Sequence, residues 1–522
     1  MTVHSRAGWR TLALAGAALL LPGLARAQQT DIEYRDTNLD VTKKLQYNFG
    51  FEAQWYEFNN LDFRPLDESS DQAILDSDDR GSFAFTGLNA SLGYRIDEHT
   101  RFVLGVSERG LWGNDQFGDV NKYLGWVYFT SAYVDLSTKG DNPVRFRVGR
   151  QFFTIGGLPA KEFVFLDIVD GVRVDIPLGK VGYIAALPIE VPSLATSNDH
   201  ANFVSYIGQG QSAPFRFRGD TITRRYGAVL VLDHLVDNLD ARAYGFYTDI
   251  GAMGSGSDIT YHGQLGNFSD NDWTANFGVR ASYEAGPITP FATFDVSRGI
   301  DRKELVASDV NSNGLAWYLG ADLTVGDDSG VRARATYFDS LGPAYLSNGL
   351  EYSHGYVGMK AQQVGGTLAD RFMGWHPTAY VGGYGVDNTP NNIDRKSGTR
   401  AIHGSVGYDL PQVFGFRVGY WFLQDTGITR LDISQLNTID PPYGYSREEF
   451  FAESRLGKVL GQEADLDLDF RVNDHVHIHA NGAILLPGAY YKIETGRVAG
   501  TALGSPNPVP AWSANAGTQV RF

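Results

Sequence analysis

The chain has 522 residues, a formal net charge of −16 at pH 7, 43% hydrophobic and 13% aromatic residues, and no cysteine. Without a thiol it has no disulfide framework, no thiolate nucleophile and no cysteine metal site. The acidic balance argues against nucleic acid as a partner, because phosphate backbones are bound chiefly through basic side chains.

The amino-terminal residues have the pattern of a secretory signal peptide. Arginines precede an apolar run at 11–24, and an Ala-Arg-Ala cleavage triplet ends at Ala27. The run is too short to span a membrane comfortably as a helix, and no later run approaches spanning length. We therefore predict a signal peptide over 1–27 and a single exported domain over 28–522.

Apolar and polar residues alternate through most of the exported domain. At 45–57, for example, Tyr47, Phe49 and Trp55 share one parity, and polar or small residues occupy most of the other. Successive side chains of a strand point to opposite faces, so each such segment has one apolar face and one wet face. We predict eighteen strands, at 45–57, 83–96, 100–111, 124–137, 143–153, 170–177, 180–188, 223–233, 238–250, 272–284, 287–298, 314–325, 329–339, 400–410, 412–424, 462–472, 476–487 and 511–522.

The connections between these strands alternate between short and long. Leu178-Gly179 and Ala285-Gly286 are short turns, whereas 189–222 and 340–399 are long. Outer-membrane barrels have short periplasmic turns and long outer loops. The predicted fold is therefore all-β, an 18-stranded antiparallel transmembrane β-barrel in the outer membrane, with short periplasmic turns and long extracellular loops.

Two long loops matter for the pore. Trp375–Gly383 could hide a further hairpin within 340–399, so a barrel of 20 strands stays open as an alternative. Because every predicted periplasmic turn is short, gating is expected from outer loops that fold inward. The best candidates are 340–399 and 425–461.

The last hairpin shows how the alternation fixes register. Only a three-residue turn at 473–475, which pairs Val472 with Val476, keeps the apolar residues of both strands on one face. The same register places Asp469 opposite His479 and predicts a contact between aspartate and histidine in the lumen.

The carboxy-terminal segment 512–522 also alternates and ends on an aromatic residue. It resembles the closing strand of bacterial outer-membrane barrels, and it must pair with 45–57 to close the barrel.

The wet face of the predicted strands is rich in arginine. A guanidinium is always charged and grips carboxylates with two parallel hydrogen bonds, so an arginine-lined pore favours anions. The predicted pore-lining residues are Arg145, Arg147, Arg173, Arg242, Arg280, Arg332, Arg334 and Arg417.

The alternative is that these arginines brace the wall by pairing with acids of the same lumen. The candidate acidic partners are Glu52, Asp135, Asp240, Asp295, Asp322 and Asp467. Aromatic residues of lumen parity could stack on sugar rings or simply pack between loops and wall; they are Tyr133, Tyr244, Phe291, Tyr318 and Trp421.

Three short motifs resemble the alginate-export family of 18-stranded outer-membrane porins. They are Arg-Phe-Arg-Val-Gly-Arg-Gln-Phe at 145–152, Asp-Gly-Val-Arg-Val-Asp at 170–175, and an acidic alternation at 463–469 that leads to Pro487-Gly488. The resemblance implies a monomeric barrel that passes a polysaccharide outward through an arginine-rich constriction, with Arg145, Arg147 and Arg173 lining the pore. Arg150 has outward parity and would need a bulge or the strand's upper edge to reach the lumen. A long periplasmic loop of that family has no counterpart here.

The main functional prediction is an outer-membrane conduit for a polysaccharide, with an anionic, alginate-like polymer as the candidate substrate and periplasmic or inner-membrane export machinery as a candidate partner. The alternative is a general or small-solute porin. A barrel enzyme or adhesin ranks third, because no nucleophile and base share a spacing that would support hydrolysis. No metal and no cofactor are expected, and the only other contact predicted is with outer-membrane lipid.

Overall fold

The computed structural model describes residues 44–60, 63, 80–112, 126–155, 166–192, 224–233, 235–250, 272–301, 310–311, 313–326, 330–342, 344–345, 351–353, 355–358, 364–371, 398–410, 413–426, 459–492 and 507–521. The predicted signal peptide and the terminal Phe522 lie outside the described residues. No helix within the described ranges is long and apolar enough to cross a membrane.

Eighteen strands of the described chain form the wall of a closed antiparallel barrel. Numbered in chain order with three short strands included, they are β1 (Leu45–Asn59), β2 (Arg80–Arg95), β3 (Thr100–Trp112), β4 (Trp126–Ser137), β5 (Arg145–Thr154), β6 (Leu166–Pro177), β7 (Tyr183–Pro192), β8 (Arg224–Leu232), β9 (Leu239–Ile250), β10 (Asp272–Tyr283), β11 (Ile288–Asp301), β13 (Gly314–Val325), β14 (Gly330–Ser340), β17 (Thr399–Leu410), β18 (Phe414–Asp425), β19 (Val459–Arg471), β20 (Val476–Pro487) and β21 (Ala511–Arg521). The short strands β12 (Val310–Asn311), β15 (Ala344–Tyr345) and β16 (Glu351–Ser353), with the helix α1 (Thr367–Arg371), belong to outer connections.

Each wall strand pairs with its neighbour in the chain, and the first strand pairs with the last. Gly50 of β1 lies opposite Arg521 of β21, and the ladder continues to Asn59 opposite Trp512. The predicted contact between the two ends of the barrel is therefore confirmed, and so are the strand number and the antiparallel order.

The alternation of side chains separates a lipid-facing surface from a lumen. On β10, Phe277 and Val279 point outward and are more than half exposed in the protein alone, whereas Asn276 and Arg280 point inward and are nearly fully buried. Hydrocarbon covers the outward set in a membrane barrel, so the exposed apolar side chains are where the fold requires them.

The long connection after β14 adds no strand to the wall. β14 pairs directly with β17, from Gly330 opposite Asp409 to Asp339 opposite Arg400. An extra wall hairpin between them is thereby excluded, although the Trp375–Gly383 stretch itself lies outside the described residues.

The turn between β6 and β7 is longer than predicted. The sequence suggested a two-residue turn at Leu178-Gly179, but the chain turns over 178–182, where Leu178 N–H donates to the Gly182 carbonyl at 2.8 Å. Gly179 has a φ of +67° and Gly182 a φ of +150°, conformations that L side chains rarely adopt. The second glycine extends the turn and delays the start of β7 to Tyr183.

The last hairpin has the predicted register. Val472 N–H donates to the Val476 carbonyl at 2.9 Å, which closes a three-residue turn. Asp469 lies opposite His479 in the ladder. Its Oδ2 lies 3.6 Å from Nδ1 of His477, so an aspartate–histidine contact is present in the lumen, to the neighbouring histidine.

Candidate functional site

All eight predicted arginines point into the lumen near the periplasmic ends of their strands. Each is among the five residues closest to a short turn, so the group forms a band low in the barrel. The band is not uniform. Some arginines pair with an aspartate of their own, whereas others share one or have none among the described residues.

On β3 to β5, two arginines share one aspartate. Arg147 donates to both oxygens of Asp135, with Nε to Oδ1 at 2.7 Å and Nη2 to Oδ2 at 3.1 Å. Arg101 donates to the same carboxylate from Nη2 at 2.6 Å. The guanidinium of Arg147 also lies 4.0 Å from the ring centre of Tyr133, which supports it by a cation–π contact. Arg101 has the same lumen parity as the predicted arginines but was not singled out from the sequence.

The same imbalance recurs on β5 and β6. Arg173 Nε donates to Asp175 Oδ1 at 2.7 Å. Arg145 is the register partner of Asp175 and is exposed at the periplasmic mouth, and it forms no ion pair within the described part of the chain. Four arginines thus accompany two aspartates in this sector, which we call the β3–β6 arc, and they leave an excess of positive charge facing the lumen.

Across the barrel, β13, β14 and β17 carry matched charges. Arg334 binds both oxygens of Asp322, at 2.6 Å from Nε and 2.9 Å from Nη2. Arg332 Nε lies 3.7 Å from Asp409 Oδ2. Each arginine here has its own aspartate.

The next pair continues this balanced sector onto β18 and β19. Arg417 lies opposite Asp467 in the ladder. Asn481 Nδ2 of β20 donates to Asp467 Oδ1 at 2.5 Å. On the same face of β19, Arg471 Nε lies 3.3 Å from Asp469 Oδ2. The β13–β19 arc therefore contains four arginines and four aspartates and adds no net charge at this level.

The two remaining predicted arginines are each held by contacts on the lumen side. Arg242 donates to both oxygens of Asp240 at 3.0 Å and to the Ile155 carbonyl at 2.6 Å. Arg280 is nearly fully buried, and its guanidinium lies 5.8 Å from the ring centre of Tyr244.

In the outer half of the barrel, part of the 340–399 loop folds into the lumen. Tyr356 N–H donates to the Leu341 carbonyl at 2.8 Å, which turns the chain inward. Val357 then docks on the wall: its N–H donates to Ser297 Oγ at 3.0 Å, and its carbonyl accepts from Asn276 Nδ2 at 2.9 Å. Ser297 and Asn276 are fully buried on the lumen face of β11 and β10.

The same loop is fastened to β19 through α1. Leu368 and Ala369 donate their backbone N–H groups to the two oxygens of Glu463, at 2.5 and 3.0 Å. Thr367 N–H donates to Asp465 Oδ1 at 3.1 Å. Carboxylates satisfy the free amides at the start of a helix well, so these bonds hold α1 against the inner wall. The described pieces of this loop, 355–358 and 364–371, are here called the inner segment.

The aromatic residues of lumen parity serve packing. Tyr133, Tyr244, Phe291 and Tyr318 are buried in the hydrophobic clusters of the wall and inner segment, which leaves no ring face open for a sugar. Trp421 is partly buried and stacks on His403 at 4.0 Å.

One further sequence prediction, the outward direction of Arg150, is settled by the geometry. Arg150 does not reach the lumen, because neighbouring Arg147 and Gln151 point inward and Arg150 lies on the outer face with Asp170. Within the described ranges, no cluster of three histidine or acidic side chains could hold a metal ion.

No family model and no curated protein matches the sequence. The resemblance to the alginate-export family therefore has no support from these comparisons.

The barrel is similar to solved outer-membrane structures. The outer membrane protein OprD from Pseudomonas aeruginosa is 11% identical, with 92% of this chain and 94% of that chain covered at a TM-score of 0.46. OccD3 (OpdP) from the same organism is 12% identical, over 92% and 91% of the two chains, at 0.46. OccAB2 from Acinetobacter baumannii is 11% identical, over 91% and 98%, at 0.45.

The assignment to the outer membrane follows from the barrel itself. A closed sheet satisfies all backbone groups across lipid, its outward faces are apolar, and its lumen carries charged pairs that need water. The chain is an 18-stranded β-barrel of the outer membrane.

Proposed function

We propose that this barrel is a pore for small solutes, with a preference for anions that is set by the β3–β6 arc at its periplasmic mouth. The observation that carries the proposal is the unequal charge count of the two arcs: four arginines with two aspartates on one side, four with four on the other. A charged wall of one sign in a confined space raises the local concentration of the opposite ion.

Arg145 is the residue of the arc best placed to meet a solute. Its exposed guanidinium lies at the first position of β5, and among the described residues it has no carboxylate partner. A carboxylate or phosphate that enters the mouth can therefore bind it without displacing an internal ion pair.

The inner segment favours small solutes over a polymer. It occupies the outer half of the lumen between β11 and β19 and is fixed by hydrogen bonds on both sides. A polysaccharide chain would have to pass this obstruction along its whole length, whereas a small solute passes beside it. We therefore prefer the small-solute alternative to the polysaccharide export that the sequence suggested first.

The test is ion selectivity in planar bilayers. In a salt gradient, the wild-type pore is expected to show a reversal potential of the sign for anions. Replacing Arg145→Gln and Arg147→Gln removes two charges from the β3–β6 arc and should move that potential toward zero, while Asp135 keeps Arg101 as its partner.

The matched control is Arg334→Gln combined with Asp322→Asn, which removes one charge of each sign from the β13–β19 arc. This pair should leave the reversal potential unchanged. An unchanged potential in the first variant, or an equal shift in the control, would refute the anion preference. Passage of long sugar polymers through the wild-type pore would instead support polysaccharide export.

A further inference from the structure

An ion pair between Arg150 and Asp170 lies on the outer face of the barrel. Arg150 donates to both carboxylate oxygens, with Nε to Oδ1 at 2.9 Å and Nη2 to Oδ2 at 2.8 Å. The two residues are register partners on β5 and β6. On the same strand, Val148 also points outward, whereas Arg147 points into the lumen.

The pair lies inside the apolar band rather than at its edge. Phe146 and Val148 lie below Arg150 on β5, Phe129 lies above it on β4, and all three are outward-facing and more than a third exposed. At about 3.3 Å per residue and a tilt near 40°, Arg150 is roughly 10 Å above Phe146 in a band about 25 Å tall. Charges on the lipid face are disfavoured most at this depth.

The wall is built around this arginine. A bulge in β4 takes Thr130 out of the ladder with β3 and leaves the Phe129 carbonyl free to accept from Arg150 Nη1 at 3.3 Å. The arginine is thereby fixed, while the Asp170 side chain stays 40% exposed and turned outward. Its carboxylate can accept a second charged donor.

A second ion pair of outward parity lies at a different depth in the membrane. Arg400 binds Asp339 at 2.7 Å, but these residues lie at the outer ends of β17 and β14, where headgroups and water can solvate the 44% exposed Arg400 side chain while Asp339 is only 2% exposed. Arg150 and Asp170 have apolar neighbours above and below and no such solvent in a lone barrel.

We propose that the outer face of β4 to β6 is an interface with a second copy of this chain. Copies in one membrane share their orientation, so a symmetry axis runs along the membrane normal and equal residues meet at equal depth. A two-fold axis between β5 and β6 places Arg150 of each copy opposite the partner's Asp170. The four charges then alternate and are shielded from lipid, because a face that carries both signs side by side is complementary to itself. The monomer expected from the sequence is replaced by this dimer.

The chain has no cysteine, so a single introduced thiol reports the interface cleanly. Val148→Cys lies next to the proposed axis, and facing sheets lie about 10 Å apart, within reach of a short bifunctional thiol reagent. Treatment of intact outer membranes should give a product with the mass of two copies. Phe277→Cys, equally outward-facing on β10, is the matched control and should stay monomeric.

Charge reversal tests the pairing itself. Asp170→Arg in the Val148→Cys background turns both faces positive and should lower the dimer yield about tenfold, since like charges across an interface are strongly disfavoured. Adding Arg150→Asp restores alternating charges and should restore the yield. Before cross-linking, each variant is checked for barrel assembly by comparing the gel migration of unheated and heated samples.

The outcomes are decisive either way. No cross-link at Val148→Cys, an equal cross-link at Phe277→Cys, or indifference to charge reversal would overturn the dimer. A product of one copy joined to a different protein would overturn self-association and assign the face to that protein.

Discussion

The outer and periplasmic halves of the lumen are built from different contacts. In the outer half, carboxylates and neutral side chains hold the backbone of the inner segment against β10, β11 and β19. In the periplasmic half, guanidinium groups pair with aspartates of the same or a neighbouring strand, and Arg242 also holds the carbonyl of Ile155, the residue after β5. Pore width and pore charge are thus set by separate residues, and each should be changeable without the other.

The largest effect is expected where the wall touches the inner segment most closely. At Gly314, an added Cβ would lie 2.1 Å from Tyr356 N and 2.2 Å from Tyr356 Cα, so Gly314→Ala must push the backbone of the segment away. Overpacking of this kind costs about 1–3 kcal/mol, enough to loosen the docking. Single-channel conductance and the size limit for neutral solutes should rise, while the reversal potential stays the same.

Gly404→Ala is the control for that change, because an added Cβ at Gly404 meets nothing within 4 Å. It should conduct like the wild type. If Gly314→Ala leaves the size limit unchanged, the inner segment is not the constriction and the division into two halves is lost.

A smaller opening is expected at the fastening of α1. Glu463→Gln replaces one accepting oxygen with an NH₂ group, so one of the two amides at Leu368 and Ala369 loses its acceptor. A hydrogen bond to a charged group contributes about 1.5–3 kcal/mol, and its loss should raise conductance and current noise.

Asp467→Asn tests whether loss of a negative charge on β19 has the same effect as loss of a hydrogen bond to α1. It removes the same charge from the same face of β19, but Asp467 accepts from Asn481 and lies opposite Arg417 instead of binding α1. Recordings at matched salt should show the added noise only in Glu463→Gln. Equal noise in both variants would mean that charge, not docking, governs the outer half.

The smallest change in conductance is expected from the arginines, which differ instead in their effect on stability. Arg334→Gln breaks two short bonds to Asp322 in a nearly buried pair and should cost about 1.5–3 kcal/mol. Arg145→Gln breaks no ion pair within the described residues and should fall within about 0.5 kcal/mol of the wild type. Urea titration of the folded band on a gel compares the two, and equal destabilisation would contradict the difference between the arcs.

The wall was predictable from sequence because a strand has a period of two. Alternation alone placed eighteen strands, the three-residue turn at 473–475 and the outward direction of Arg150. It also named both the arginines and several of their aspartates, including Asp135, Asp240 and Asp322, since strand neighbours share a face.

The inner segment was predictable only as a candidate loop. Its partners Glu463 and Asp465 belong to a strand about a hundred residues further along the chain. They accept hydrogen bonds from backbone amides, which every residue has, so the pattern of side chains does not predict the contact. The sequence also did not show which arginines have an aspartate of their own and which do not. That depends on the register between strands and not on the composition of any one strand.

The ladder between β1 and β21 has a consequence for biogenesis. It joins Gly50 to Arg521, so the edge of β1 that does not face β2 stays unpaired until β21 has been synthesised. Contacts between such distant residues form slowly, and until they form, two unpaired strand edges stay available to other chains. Pairing of the eleven-residue strand β21 with β1 is therefore the step that removes both free edges at once.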